Sequence, residues 1–195
     1  MSPRAVERPA GLSYQADFIT GEEHGALLAF LRALEFREVR MRGYPAKRTT
    51  VHFGYDYAID QRQVEPAEPI PPGLLWLRDR CADAARVPRA ELVELLATRY
   101  PPGAGIGWHR DAPQFGSVVA GVSLASACTM KFRRKVGETW ARYELVLEPR
   151  SLYVLAGAAR WQWQHGITET PEERFSLTFR TMRAGEAQKP VDSRQ

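Results

Sequence analysis

Residues 174–180 read Arg174-Phe175-Ser176-Leu177-Thr178-Phe179-Arg180. Apolar and polar side chains alternate without a break. The segment is therefore a β-strand, with Phe175, Leu177 and Phe179 on one face and Arg174, Ser176, Thr178 and Arg180 on the other. Two readings of the polar face are open. On an outer strand it is simply solvated. Inside a closed pair of sheets it looks into the protein, where two guanidiniums are costly unless an anion lies between them. Arginine's planar fork pairs carboxylates two bonds at a time, so the second reading points to a small diacid.

Similar segments surround it in the chain. Residues 48–57, 117–124, 129–134, 143–147, 151–156 and 173–180 are short, rich in β-branched and aromatic residues, and separated by Gly, Pro or charged punctuation. That spacing predicts a mainly β fold, a β-sandwich or jelly roll, with flanking helices. Thr20 followed by Glu23 is a capping box. Leu27, Phe30, Leu31 and Leu34 recur at helical spacing behind it, predicting a helix over 21–34. Pro72 opens a second helix running to Ala85, with Leu74, Leu75, Leu77 and Cys81 as its apolar stripe. Residues 90–100, AELVELLATRY, fit a helix or a strand equally well, because either places Leu92, Leu95 and Leu96 in a core.

The chain has 195 residues, 44% of them hydrophobic and 26% charged, as expected of one globular domain of ordinary size. That domain is expected over 11–183, with loose ends at 1–10 and 184–195, which are poor in large apolar groups. No apolar run approaches the ~20 residues of a membrane helix. The first residues also lack the ~7–15-residue apolar core of a secretory signal, so a cytoplasmic location is expected. Cys81 and Cys128 lack CxxC spacing and read as small buried hydrophobes. A net charge of +4 permits a polyanionic partner without requiring one. The segment 184–195 contributes nothing to it, since Lys189 and Arg194 balance Glu186 and Asp192.

His109 and Asp111 flank Arg110 after the turn-forming run Pro101 to Gly107. At i and i+2 of an extended chain their side chains share a face. With His165 they make two histidines and one carboxylate, the facial set favoured by non-haem Fe(II) oxygenases, which leaves coordination positions open. Taken alone, a His-x-Asp tripeptide also occurs by chance, and His165 also reads as an ordinary core or surface histidine.

Three motifs in order carry a resemblance. Thr98-Arg99-Tyr100-Pro101-Pro102-Gly103-Ala104-Gly105-Ile106-Gly107-Trp108-His109-Arg110-Asp111 resembles the NxYxPGxxxxxHxD segment of the AlkB family of iron(II)- and 2-oxoglutarate-dependent dioxygenases. The stretch Gly157 to Ile167 resembles that family's surroundings of the distal histidine, and Arg174 to Arg180 its RxNxTxR strand. The resemblance implies a double-stranded β-helix, with Fe(II), 2-oxoglutarate and dioxygen as cofactor and cosubstrates. It implies iron ligation by His109, Asp111 and His165. Arg174 is then expected on the distal carboxylate of 2-oxoglutarate, Arg180 near the carboxylate that chelates iron, and Tyr100 hydrogen-bonded to the cosubstrate. Thr98 and Ser176 replace family asparagines and offer fewer hydrogen-bonding groups than an amide. After Asp111 this chain has Ala112-Pro113-Gln114-Phe115-Gly116, without the further acidic residue that DNA-repair members often carry there.

The region of about 37–70 resembles the family's substrate-recognition lid. Arg40, Arg42, Lys47 and Arg48 lead into His52-Phe53-Gly54-Tyr55-Asp56-Tyr57, a basic stretch followed by an aromatic one. Such a stretch suits a flipped or single-stranded base, and it also suits an ordinary edge strand with surface charge. Arg48, Tyr55, Tyr57, Trp108 and Trp163 are the candidate substrate contacts, although Trp161 and Trp163 also alternate as core tryptophans do. Lys131, Arg133, Arg134 and Lys135 form a second cationic cluster, which reads equally as a solvated hairpin. The expectation is oxidative dealkylation of damaged bases, N-methyl or etheno adducts, in DNA or RNA by a chain working as a monomer. Alternatives are the same chemistry on modified tRNA or a methylated protein side chain, an inactive nucleic-acid-binding jelly roll, and a zinc hydrolase. The last leaves Arg174 and Arg180 without a purpose.

Overall fold

The computed structural model describes residues 8–41, 44–58 and 63–184. Arg42 of the basic stretch and most of both expected tails lie outside these. The N-terminal part holds β1 (Leu12–Gln15), α1 (Gly21–Arg32), β2 (Arg37–Met41), β3 (Tyr44–Phe53), β4 (Tyr55–Ala58), β5 (Gln63–Pro66) and α2 (Leu75–Ala85). Then come β6 (Leu92–Tyr100), β7 (Ile106–His109), β8 (Phe115–Leu124), β9 (Cys128–Val136) and β10 (Thr139–Leu147). The chain closes with β11 (Leu152–Leu155), α3 (Gly157–Trp161), β12 (Gln164–Ile167) and β13 (Arg174–Met182).

A seven-stranded sheet runs β1-β11-β8-β13-β6-β3-β2, a four-stranded sheet runs β10-β9-β12-β7, and β4 pairs with β5. From β6 to β13 the chain alternates between the two larger sheets except at the β9–β10 hairpin. Antiparallel pairing with that alternation is the jelly roll expected from the sequence.

The undecided residues 90–100 form a strand because β13 and β3 flank them and supply partners for both edges. Alternation along β6 and β13 then separates two interiors. Leu95, Ala97, Phe175, Leu177 and Phe179 face a core closed by Leu27 and Leu31 of α1 and Leu77 and Cys81 of α2. Tyr100, Met130, Phe132, Tyr153, Trp163 and Ile167 fill the space between the sheets.

The expected elements differ from the observed ones in a few places. α1 stops at Arg32, leaving Leu34 to pack from the following turn. Its capping box forms as read, with Glu23 N–H on Thr20 Oγ1 at 3.1 Å and Thr20 N–H on the Glu23 carboxylate at 2.8 Å. Pro72–Leu74 makes a 3-10 turn before α2, which ends where Arg86 turns left-handed at φ 58°. The segment 48–57 is two strands, because Gly54 breaks it at φ +77°, with its Cα pressed on the Val93 carbonyl where no Cβ fits. Cys81 and Cys128 are free and buried, and burial pushes both thiols up. Among the described residues no helix is long and apolar enough to cross a membrane.

Candidate active site

The turn between β6 and β7 is built by backbone hydrogen bonds to the 167–170 segment. Gly103 N–H donates to Thr170 O at 2.7 Å, and Thr170 N–H returns to Ala104 O at 2.8 Å. A Cβ on Gly105 would stand 2.7 Å from Ile167 O, which explains the glycine there. The turn delivers His109 in register with His165 of β12, and the two rings lie 4.3 Å apart at 60°. Gly107 O is 2.9 Å from His109 Nδ1. Donation to that carbonyl leaves Nε2 of His109 as the free lone pair.

Asp111 follows the end of β7. Its Oδ2 lies 3.5 Å from His165 Nε2, and its Oδ1 accepts from Arg180 Nη1 at 3.1 Å. Asp111 Oδ2 and His165 Nδ1 are buried without a hydrogen bond. Burial alone would raise the Asp111 pKa, but its electrostatic interactions with His165, Arg180, His109 and Arg160 outweigh it and hold the carboxyl at about 2. Burial, reinforced by His109, holds His165 down at about 3 against the pull of Asp111. The pair is thus a carboxylate and a neutral imidazole near neutral pH, the protonation states a metal ion requires.

Arg160 of α3 was not singled out from the sequence. Its buried guanidinium donates to the carbonyls of Gly116, Asp111, Ala112 and Phe115 at 3.0–3.2 Å and so fixes the loop that carries Asp111. Burial lowers its pKa. Glu94 was also missed. It is fully buried on β6 and binds Arg180 through both oxygens, at 2.7 and 2.6 Å. Burial works against the charge on Arg180, but Glu94 and Asp111 raise its pKa nonetheless. Arg180 thus lines the cavity beside Asp111 while held by two protein carboxylates.

Arg174 is 0% exposed, and its Nε donates to Ser123 Oγ at 3.1 Å. Its Cζ is 5.0 Å from the Tyr100 ring centre, and its Nη1 and Nη2 are buried with no partner. A buried guanidinium with two idle nitrogens is a site for an anion, since desolvation without pairing is strongly unfavourable. In register beside it stand Tyr100, Thr98, Ser176 and Ser123. Tyr153, likewise missed, has its hydroxyl hydrogen-bonded to Thr178, and burial pushes its pKa up. Its ring occupies the space where Gly121 lacks a side chain.

These groups surround a cavity of about 380 Å³ lined by Thr98, Tyr100, His109, Asp111, His165, Ser176, Thr178 and Arg180. Arg174, fully buried, is not part of this lining. The outer wall adds Arg48, His52, Tyr57 and Arg110. Asp111 is the sole acid on the wall among the described residues. Tyr55 does not line the cavity. Trp163 is 1% exposed in the core between the sheets, and Trp108 takes the opposite face of β7 from His109. Trp163 is thereby a correction to the candidate substrate contacts, and Trp108, turned outward on β7, does not line the cavity.

Among the described residues no three His, Cys, Asp or Glu groups are drawn close enough to grip an ion as they stand, so the three donors approach pairwise. Their chemistry fits Fe(II): two imidazoles and a carboxylate with an idle buried oxygen. The idle Arg174 nitrogens fit a carboxylate of 2-oxoglutarate.

A model of the 2OG-Fe(II) oxygenase superfamily matches residues 17–180, and the chain belongs to that superfamily. Within it the chain is AlkB-like, a dioxygenase that works with Fe(II), 2-oxoglutarate and dioxygen. It is 30% identical over 179 residues to mouse tRNA (carboxymethyluridine(34)-5-O)-methyltransferase ALKBH8, covering 82% of this chain and 24% of that one. It is 28% identical over 180 residues to the alkylated DNA repair protein ALKBH8 homolog of Arabidopsis thaliana, covering 80% and 50%. The chain thus spans about a quarter of the length of the vertebrate ALKBH8 proteins it matches. The solved structure of OsALKBH1 superposes with a TM-score of 0.66 at 15% identity, over 90% of this chain and 98% of that one.

Proposed function

We propose that this chain oxidises a C–H bond on a modified nucleobase carried by a nucleic-acid strand, and that the modification is uncharged or acidic. His109, Asp111 and His165 are the residues that would hold Fe(II), with Arg174, Tyr100, Thr98 and Ser176 around 2-oxoglutarate. Together with dioxygen these supply the oxidising power, one oxygen atom entering the substrate as 2-oxoglutarate loses carbon dioxide and becomes succinate. The protein's own residues hold charge and exclude water. Arg180 and Arg160 fix Asp111, Glu94 fixes Arg180, and the Tyr100 and Tyr153 rings wall the diacid's end from solvent.

The observation that carries the choice of substrate is the sign of the outer wall. Arg48 and Arg110 line the cavity, and no acid besides Asp111 lines it among the described residues. A cationic lesion such as 1-methyladenine or 3-methylcytosine meets the Arg48 and Arg110 guanidiniums there, with Asp111 already engaged by Arg180, whereas an etheno base or a base bearing a carboxylate brings no like charge to them. The mouse relative's name refers to carboxymethyluridine in tRNA, an acidic modification, which agrees with that sign.

The test is a turnover panel with Fe(II), ascorbate and 2-oxoglutarate. Oligonucleotides carrying cationic, neutral and carboxylated bases are read by product mass. The expected result is an oxidised or dealkylated product from the neutral or acidic set, faster than from the cationic set. Succinate formation with every base unchanged would overturn the reading.

A further inference from the structure

The side of the four-stranded sheet turned away from the cavity carries a second recess that the oxidation chemistry does not use. Alternation sends His109 and His165 inward and their neighbours Trp108 and Gln164 outward. Gly166 stands opposite Lys131 of β9, which in turn faces Glu144 of β10. A Cβ on Gly166 would come within 2.8 Å of Ile106 O, so the position has no side chain. The hollow there measures about 380 Å³ and is walled by Trp108, Lys131, Arg142, Glu144 and Thr168.

Beside the hollow, the Arg133 guanidinium lies between two indoles, 4.4 Å from Trp108 and 4.6 Å from Trp140. Gln164 Oε1 accepts from its Nε at 2.7 Å and fixes the stack. Trp140 is 41% exposed, so its indole is open to solvent. Lys131, Arg133, Lys135 and Arg142 stand on this face against Glu144, which pairs with Lys131 at 3.7 Å.

We infer that this outer face binds the single-stranded nucleic acid next to the base being oxidised. The inference rests on the nucleobase reading above. Fixed indoles offer π-faces to successive bases of any identity, and the surrounding cations meet the phosphates. The excess of positive charge fits a polyanion and not an apolar protein surface. The path is short, because β7 is the edge strand of its sheet. Its His109 looks into the cavity and its Trp108 onto the outer face, so a strand that inserts one base needs to cross only that edge to lay its neighbours on the platform.

The experiment measures binding of a labelled, unmodified single-stranded oligonucleotide by fluorescence anisotropy across a salt series, beside turnover. Trp140→Ala is expected to raise Kd about ten-fold, with Trp140→Phe restoring most of the affinity. Arg142→Gln is expected to lower the slope of log K against log salt by about 0.7, the share of one phosphate contact on a single strand. Neither variant should change turnover of the isolated modified nucleoside. Unchanged affinity and slope in both variants, with oligonucleotide turnover intact, would overturn the platform and leave the nucleobase reading standing. A protein that binds the strand through Trp140 and Arg142 but oxidises no nucleic acid would overturn that reading and keep the platform. Absence of strand binding by the wild type would overturn the platform outright.

Discussion

Glu94 and Arg180 are 86 residues apart in sequence, yet their side chains meet fork to fork inside the barrel, with Asp111 on the remaining arm of the guanidinium. His52 stands 3.4 Å from the same Glu94 carboxylate and 3.5 Å from Asp56. A chain of polar contacts thus runs from the β4 strand to Asp111, with the buried Glu94–Arg180 pair at its centre. Removing one partner of a buried pair leaves an uncompensated ion. Glu94→Ala is expected to lower the unfolding free energy by about 3–5 kcal/mol, measured by urea denaturation. A loss within the scatter of surface substitutions would contradict the role given to this pair.

The pH dependence of the metal-free protein has a definite sign. His165 is held at about 3 in the folded chain against an ordinary value of 6.5. Below 6.5 the unfolded chain therefore takes up a proton that the native chain refuses, and stability falls with pH from there down to about 3. Asp111, held at about 2 against 3.8, adds a further loss only below 3.8. Melting temperature followed from pH 8 to 4 is expected to decline below 6.5, and His165→Gln should flatten that decline. A wild-type curve that is flat through this window would contradict the buried neutral imidazole.

Arg160 holds four carbonyl oxygens of the 111–116 loop. Arg160→Met keeps the stem's packing and removes all four bonds. The expected result is a roughly 10–100-fold loss of affinity for Mn(II), as for other supporting partners of metal ligands, read by isothermal titration calorimetry. Unchanged affinity would show that the loop keeps Asp111 in place without it.

Gly54 joins β3 to β4 with a positive φ and with no space for a Cβ beside the Val93 carbonyl. Gly54→Ala is expected to cost about 1–3 kcal/mol of stability. It should also displace Tyr57, which lines the outer cavity. Steady-state kinetics should then show a raised KM for the nucleic-acid substrate with little change in KM for 2-oxoglutarate. An equal rise in both would mean that the turn supports the whole barrel and not this wall alone.

Much of this protein was legible in its sequence because the informative signals were local. Alternation in 174–180 stated which side chains share a face, Thr20 and Glu23 marked a helix start, and the His-x-Asp spacing put two donors close together, His109 at the end of β7 and Asp111 just beyond it. Trp163 and Trp108 show where such reading stops. Trp163 follows α3 in the turn before β12 and is core, whereas Trp108 lies on the outer face of β7, because period two assigns opposite sides of a strand but not which side is the interior.

What the sequence determined by itself was the class of chain: a mainly β fold of sandwich or jelly-roll type, two histidines and a carboxylate, and a strand bearing two arginines. Tertiary structure decided what those arginines hold. Glu94 reaches Arg180 only because β6 pairs with β13 in one particular register, and a slip of one residue would send it to the helix-covered core. The Arg160 guanidinium finds the Asp111 loop only after α3 docks on β8. Register and docking are non-local, each fixed by many weak contacts at once. No short stretch of sequence records them.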